Sequence, residues 1–289
     1  MQGQRGWLNV APPEKRRPDP RRHWFEVKPL PAPALTPLVA ETRLGAVSAT
    51  PSIELGETVL GAVRGHHAFE GCVEQLATAI RLGVYPRGST LAPERALADR
   101  LGVSRATLRE AIAALRAADF VNTTRGRGGG TVVSFRPKKP SSRGARALVP
   151  RSEQLRDTLV FRRIVEPGAS RLAAERDLTP DERHLLVTAH AEVSSARDPA
   201  EHRQADSRFH LALAAVTGSP LTLRAVTAVQ SDLHDMLNAI PVLERNIAHS
   251  SHQHRLILDA VLEGDANRAR RVMESHCDDT AALLRGLLA

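Results

Sequence analysis

Two regions of the chain place apolar residues at the spacing of a helix. Between positions 92 and 121, apolar residues recur at i, i+3, i+4 and i+7, which predicts two short helices joined at Gly102-Val103. Ser104 is the expected N-cap of the second helix. The inward stripe consists of Leu97, Leu101, Leu108, Ala111, Ile112 and Leu115. From about residue 152 the pattern is helical to the end, without strand-like alternation.

The first region has the form of a helix-turn-helix. Arg105 and Arg109 lie four residues apart at the start of the second helix, opposite its apolar stripe. Arginines in that position can meet phosphates and the guanine edge in a major groove. This pattern indicates a protein that reads double-stranded DNA.

The residues after the helix pair predict a β-hairpin. VNTTRGRGGGTVVS contains two short β-branched runs around a glycine-rich tip that carries Arg125 and Arg127. Such a tip can bring charge to phosphates or into a minor groove, as in a winged helix. The alternative is an ordinary solvated hairpin, which is less favoured directly behind a helix-turn-helix.

Helix start and stop signals divide the second region. Thr179 to Glu182 form a capping box with proline at the first helical position, and Asp198-Pro199 and Ser219-Pro220 repeat the cap-and-proline order. Gly218 and Gly264 stand where helices should end. We expect an antiparallel bundle of six or seven helices.

Polar residues interrupt the apolar stripes of this bundle. Asp206 and His210 share a face with Phe209 and Leu213, and two further histidines occupy core-facing positions. These two are His254 and His276. A divalent metal would satisfy one carboxylate and three imidazoles in an apolar interior. The alternative for each histidine is a hydrogen-bonded core residue.

Composition narrows the class of protein. The chain has 289 residues, a net charge of +8 and two cysteines, neither in a CxxC pattern. No apolar run is long enough to span a membrane and no secretory signal is evident, so we expect a cytoplasmic protein that binds a polyanion and no membrane. No HExxH, GxSxG or phosphate loop is present, which disfavours an enzyme.

Shifts in composition predict four segments. Residues 1–62 are rich in proline and arginine and are expected to be disordered, whereas 63–135 form the winged helix-turn-helix. Residues 136–151 form a basic linker, which acts either as a solvated tether or as an extra phosphate contact. Residues 152–289 form the helical domain. The fold is therefore expected to be mainly α, with a small hairpin wing.

The first region resembles the GntR family of bacterial transcription regulators. The resemblance covers roughly residues 67–134 and includes Glu94-Arg95, GVSRATLREAI and the GRGGGT wing. By position it implies contacts to DNA from a set of residues on the helix pair and the wing. Arg127, the second arginine of the hairpin tip, is added to this set. The candidates are then Arg95, Ser104, Arg105, Thr107, Arg109, Arg125, Gly126 and Arg127.

The second region resembles the FCD effector domain of the FadR-type branch of that family. The resemblance rests on FRRIVEPGASRLAAERDLT, DSRFHLALAAVTGSPL and QHRLILDAVLEGDANRARRVMESH. It implies that Asp206, His210, His254 and His276 bind a metal, with zinc favoured and nickel or manganese possible from such ligands. Arg162 is expected either to bind the carboxylate of an effector or to form a salt bridge with Glu166.

These patterns and the family resemblance together imply a homodimeric, nucleoid-associated repressor. It would bind a palindromic operator and respond to a small carboxylate metabolite at the metal. A first alternative is a DNA-binding regulator whose helical domain only dimerises, and a second is a metal-dependent hydrolase.

Overall fold

The computed structural model describes residues 55–63, 68–124, 129–136, 152–237 and 244–288. The predicted wing-tip contacts Arg125, Gly126 and Arg127 lie outside these residues, as does nearly all of the predicted linker. The same holds for residues 1–54 of the predicted N-terminal extension.

The N-terminal elements are short helices followed by a hairpin. They are α1 Leu55–Val59, α2 Ala68–Arg81, α3 Glu94–Leu101, α4 Arg105–Ala117, β1 Val121–Thr123 and β2 Thr131–Val133. The two strands are antiparallel, with Val121 opposite Val133. Phe120 and Phe135 flank them and stack with ring centroids 4.7 Å apart, which closes the base of the hairpin.

Helices α3 and α4 form the predicted helix-turn-helix. Gly102 ends α3 in the left-handed conformation, with φ of 64°, which a residue without a Cβ adopts readily. Ser104 caps α4 by accepting a hydrogen bond from the Thr107 amide at 3.0 Å. Every residue of the predicted inward stripe is buried. The cap, the turn and the stripe are thus confirmed.

The second region is a helical bundle. Its described helices are α5 Ser152–Glu175, α6 Pro180–Ser195, α7 Pro199–Ala215, α8 Pro220–Leu237, α9 Glu244–Leu262 and α10 Ala266–Leu288. The capping box at Thr179 and the aspartate cap at Asp198 are present, and Gly218 and Gly264 have positive φ. Local chain signals therefore place the helix ends correctly.

The bundle core forms around α7. Phe209, Leu213 and Ile257 are fully or almost fully buried, together with Met273 from α10. Helix α5 packs along α10, and α7 packs between α6 and α8. In the described part of the chain, no helix is both long enough and apolar enough to cross a membrane.

Helix α1 corrects the predicted end of the N-terminal extension. Residues 55–63 are ordered against the winged helix, where the Tyr85 hydroxyl donates to the Gly56 carbonyl and the Val63 amide donates to the Leu101 carbonyl. Leu60 is buried in the same core. The expectation of disorder up to residue 62 is wrong for 55–62, because these few apolar residues are too short a run to show periodicity but do find a core to join.

Candidate metal centre and nucleic-acid interface

Three helices bring three histidines together inside the bundle. His210 comes from α7, His254 from α9 and His276 from α10, and one ring nitrogen of each lies within 4.8 Å of those of the other two. The Nε2 atoms of His254 and His276 are 3.4 Å apart. All three side chains are buried. The helical periodicity that predicted inward-facing imidazoles is confirmed, and the structure adds that they meet at one point.

The surroundings of the cluster favour neutral imidazoles. Burial lowers the pKa of His254 and of His276 well below the usual value, and the neighbouring His210 and Arg162 lower the pKa of both further. A neutral imidazole keeps a lone pair on one ring nitrogen. At neutral pH these two side chains are therefore in the form that binds a metal.

Two polar side chains lie behind the cluster, each close to the Nδ1 atom of one ring. The Gln253 side-chain carbonyl Oε1 lies 3.1 Å from Nδ1 of His276, and Glu166 Oε2 lies 3.1 Å from Nδ1 of His210. An acceptor beside Nδ1 favours the proton there and leaves Nε2 as the ligand atom. Sequence reasoning missed the role of Gln253, since a glutamine beside a histidine carries no ligand signal of its own.

The cluster has unmet bonding capacity that a metal fits. Among the described residues, both ring nitrogens of His210 are buried without a hydrogen-bond partner, although the Glu166 carboxylate lies 3.1 Å from Nδ1. A buried polar atom without a partner costs about 1–3 kcal/mol. Three imidazole nitrogens are a donor set that zinc accepts readily, with room for oxygen ligands. The residues present therefore fit a bound divalent metal, for which His210, His254 and His276 would supply the ligands.

Asp206 lies beside the three histidines but is less enclosed. Its Oδ1 atom is 3.6 Å from Nε2 of His254, and its side chain is 19% exposed. This carboxylate faces a cavity of about 160 Å³ that His276, Arg162 and Gln253 also line. A metal at the histidines would thus have a carboxylate and an open, polar side next to it.

Glu166 is the charged centre behind the site. Its carboxylate accepts from Nε of Arg162 at 2.8 Å and from Nε2 of Gln230 at 2.6 Å, and it lies near Nδ1 of His210. Burial alone would raise the pKa of Glu166, but Arg162 and His210 outweigh that effect and hold it well below the usual value. Glu166 is therefore ionised at neutral pH.

Arg162 forms the salt bridge with Glu166 that is one of its two expected roles, and this pair is buried. The pairing with Glu166 at i+4 is present, but both side chains are only 2% exposed. Helix α5 packs closely along α10, which covers this face. Nη1 of Arg162 has no hydrogen-bond partner among the described residues, and the side chain lines the cavity. Nε of the Arg162 guanidinium is thus bonded to Glu166, and Nη1 can donate to a ligand.

The helix-turn-helix presents a basic face. Arg95, Arg105 and Arg109 are exposed, whereas Thr107 is half-buried. Nε of Arg109 donates to Glu94 Oε2 at 2.8 Å, so this arginine must exchange partners to reach DNA. Ser104 is exposed and its hydroxyl serves as the N-cap. The described part of the predicted DNA contact set thus lies at the start of α4 or close to it.

Comparison with known proteins identifies the family. Residues 70–133 match the family of bacterial regulatory proteins of the gntR type, and residues 157–279 match the FCD domain. A protein of Mycobacterium gastri named as the HTH-type transcriptional regulator RmpR is 33% identical over 210 residues, which are 72% of this chain and 76% of that protein. The chain belongs to the GntR family.

This GntR regulator is similar to further known proteins. A protein of Escherichia coli named as an L-lactate dehydrogenase operon regulatory protein is 31% identical over 198 residues, or 65% of this chain and 75% of that one. The solved structure of a Streptococcus agalactiae GntR protein is 25% identical, with a TM-score of 0.40, and the match covers 74% of this chain and 99% of that one. The protein is a DNA-binding transcriptional regulator with an FCD domain, and its family comprises regulators rather than enzymes.

Proposed function

We propose that this regulator is a cytoplasmic, homodimeric repressor whose binding to a palindromic operator is controlled by a small organic acid. The acid binds in the cavity of the helical domain, beside a zinc ion held by His210, His254, His276 and Asp206. The observation that carries this proposal is the buried cluster of three histidines next to a polar cavity.

The cavity suits a small acid. Zinc at the histidines would attract a carboxylate oxygen, and Nη1 of Arg162 can donate to the same carboxylate. The lining combines polar side chains such as His202 and Thr280 with apolar ones such as Leu233 and Leu283. A small acid can place its carboxylate on the polar part and its short carbon chain against the leucines. The name of the lactate operon relative is consistent with a hydroxy acid of this size.

An exposed apolar surface on α5 supports self-association. Val160 and Ile164, one turn apart, are 57% and 67% exposed. They border a groove between α5 and α10 that Leu155, Leu159 and Ala281 also line. A second copy of the chain would cover this surface in a twofold dimer and place two α4 helices on one operator. Ile164→Asp should then give a monomer by light scattering, whereas the wild-type chain is a dimer.

The DNA part of the proposal is tested by selecting duplexes from a random-sequence library with the full-length chain. Arg105→Ala and Arg109→Ala should each abolish binding to the selected duplex while the melting transition stays intact. Arg116→Ala is the matched control, because this exposed arginine lies at the far end of α4. Binding retained by the first two variants would contradict the docking of α4 in the major groove.

The metal part is tested by zinc titration calorimetry. His254→Ala should lose zinc binding, and His184→Ala, which removes an exposed histidine of α6, should keep it. Melting of the zinc-loaded protein is then measured against a panel of small carboxylates, sugar acids and fatty acids. A stabilising acid that loses its effect in Asp206→Ala would support the sensing site. Operator affinity indifferent to zinc and to every acid would instead mean that the helical domain only dimerises.

A further inference from the structure

Helix α7 carries two sets of polar residues on opposite faces. Asp206 and His210 are four residues apart and face the histidine cluster. Gln204 and Arg208 precede them by two positions each, and two residues turn an α-helix by about 200°. The segment QADSRFH therefore alternates between residues of the candidate metal site and residues that point away from it.

The second set contacts the DNA-binding domain. Nε2 of Gln204 donates to the carbonyls of Ile80 and Arg81, at 3.2 and 3.0 Å, and Nη1 of Arg208 donates to the carbonyl of Gly83 at 3.2 Å. These carbonyls lie at the C-terminal end of α2 and just beyond it, where a helix leaves its last carbonyls unpaired and carries partial negative charge. Gln204 and Arg208 thus donate hydrogen bonds to carbonyl groups at the C-terminal end of α2 and just after it.

The contact is close and its geometry is constrained. Gly83 has φ of 74°, and a Cβ built on it would lie 2.5 Å from Nη1 of Arg208 and 2.8 Å from Cβ of Gln204. Nε of Arg208 also donates to Glu192 Oε2 on α6, at 2.7 Å, which fixes the guanidinium from behind. A glycine with positive φ is required here both for the turn and for the approach of α7.

The end of α2 is joined directly to the recognition helix. Leu76 and Ile80 of α2 are fully buried in one core with Leu108 and Ile112 of α4, and α2 packs against α4. Close-packed side chains transmit a displacement rather than absorb it. A movement of α7 that shifts the α2 end is thus passed on to α4.

We infer that α7 is the element that couples the metal site to the DNA-binding domain, with Gln204 and Arg208 as its positioning residues. Zinc bound to Asp206 and His210 would fix the position of one face of α7, and the opposite face, with Gln204 and Arg208, would then move the end of α2. This inference rests on the proposed metal site. In this inference the coupling runs through direct contact between the domains. By thermodynamic linkage, if zinc changes the affinity for DNA by some factor, DNA must change the affinity for zinc by the same factor.

The test uses the full-length chain and zinc alone as the probe. Zinc affinity is measured by calorimetry, and affinity for the selected duplex is measured with and without zinc. Hydrogen exchange of the amides of residues 79–84 reports on the α2 end itself. The variants are the double change Gln204→Ala with Arg208→Ala and, in case that protein does not fold, Arg208→Lys, which keeps the charge but shortens the side chain.

Asp235→Asn provides the matched control. Asp235, on α8, accepts from Nη1 of Arg81 at 2.8 Å, so the variant removes the charge from another contact between the two domains and weakens it. Helix α8 carries none of the proposed zinc ligands. The control should weaken the contact between the domains but leave the contacts of α7 with both the metal site and α2 intact.

In the wild-type chain and the control, we expect zinc to change duplex affinity about fivefold or more, within the usual range of couplings, and to alter exchange at 79–84. In the double variant and in Arg208→Lys, zinc should bind with the wild-type affinity while both responses fall towards none. Full responses in these variants would overturn the role of Gln204 and Arg208. Zinc binding in the wild type without any response would overturn the role of α7 and leave the metal site standing. A wild-type chain that does not bind zinc would overturn the proposed function as well.

Discussion

Replacement of Glu166 by glutamine tests how the site is held together. The change keeps the shape of the side chain and removes its charge. Arg162 would then be left as a cation that is 2% exposed, without the carboxylate that lies 2.8 Å from its Nε. The structure offers an internal comparison, because Arg171 and Glu175 form a second i, i+4 pair on the same helix, also at 2.8 Å.

The two pairs differ in burial and not in local geometry. Arg171 and Glu175 are 50% and 43% exposed. Breaking a buried ion pair by removal of one partner costs about 3–5 kcal/mol, whereas an exposed helical pair contributes about 0.3–0.5 kcal/mol. We therefore expect Glu166→Gln to lower the free energy of unfolding by several kcal/mol and Glu175→Gln to lower it by less than about 1 kcal/mol.

The assay is urea denaturation at constant ionic strength, followed by circular dichroism, on the zinc-free protein. The folded pKa of Glu166 lies below its unfolded value of about 4.3. The stabilisation by Glu166 is thus fully present above that pH and is lost as the pH falls below it. The difference between wild type and Glu166→Gln should shrink on acidification. Zinc affinity of the variant should fall by about tenfold or more, because Glu166 contacts the ligand His210.

Equal costs for the two substitutions would refute this reasoning, since burial would then not determine the strength of the pair. A difference between wild type and Glu166→Gln that stays constant down to pH 3 would also contradict it. In that case the effect of the substitution would come from packing and not from the charge of Glu166.

Three further predictions concern other parts of the chain. Ser104→Ala removes the side-chain acceptor of the Thr107 amide and should cost about 1 kcal/mol in urea denaturation; an unchanged midpoint would contradict the capping role. Arg109→Ala breaks only an exposed pair with Glu94 and should change stability by less than about 1 kcal/mol, and a larger loss would show a structural role for this arginine. Burial lowers the pKa of His234 to about 4, so this residue should contribute a loss of about 3 kcal/mol in stability as the pH drops from about 6.5 to about 4. His234→Leu should flatten this slope, and a slope equal to that of wild type would refute the assignment.

The sequence by itself determined the elements and their inner faces. Caps such as Ser104 and Thr179 and stop signals such as Gly102 and Gly264 act through hydrogen bonds and backbone angles within a few residues, so they can be recognised locally. Helical periodicity also identified His210 as an inward-facing residue, since the face of a helix depends only on the spacing along it. These features predicted the helix-turn-helix, the bundle and the candidate ligands.

The tertiary structure alone decided which of these faces meet. Glu166 joins Arg162 to His210, Gln253 fixes the ring of His276, and Gln204 holds the end of α2 more than a hundred residues earlier in the chain. Periodicity specifies a direction around one helix axis, but it contains no information about the neighbour on that side. Contacts between distant segments depend on how all the apolar stripes pack at once, and that packing placed a second layer behind the histidines and a domain contact on the back of α7.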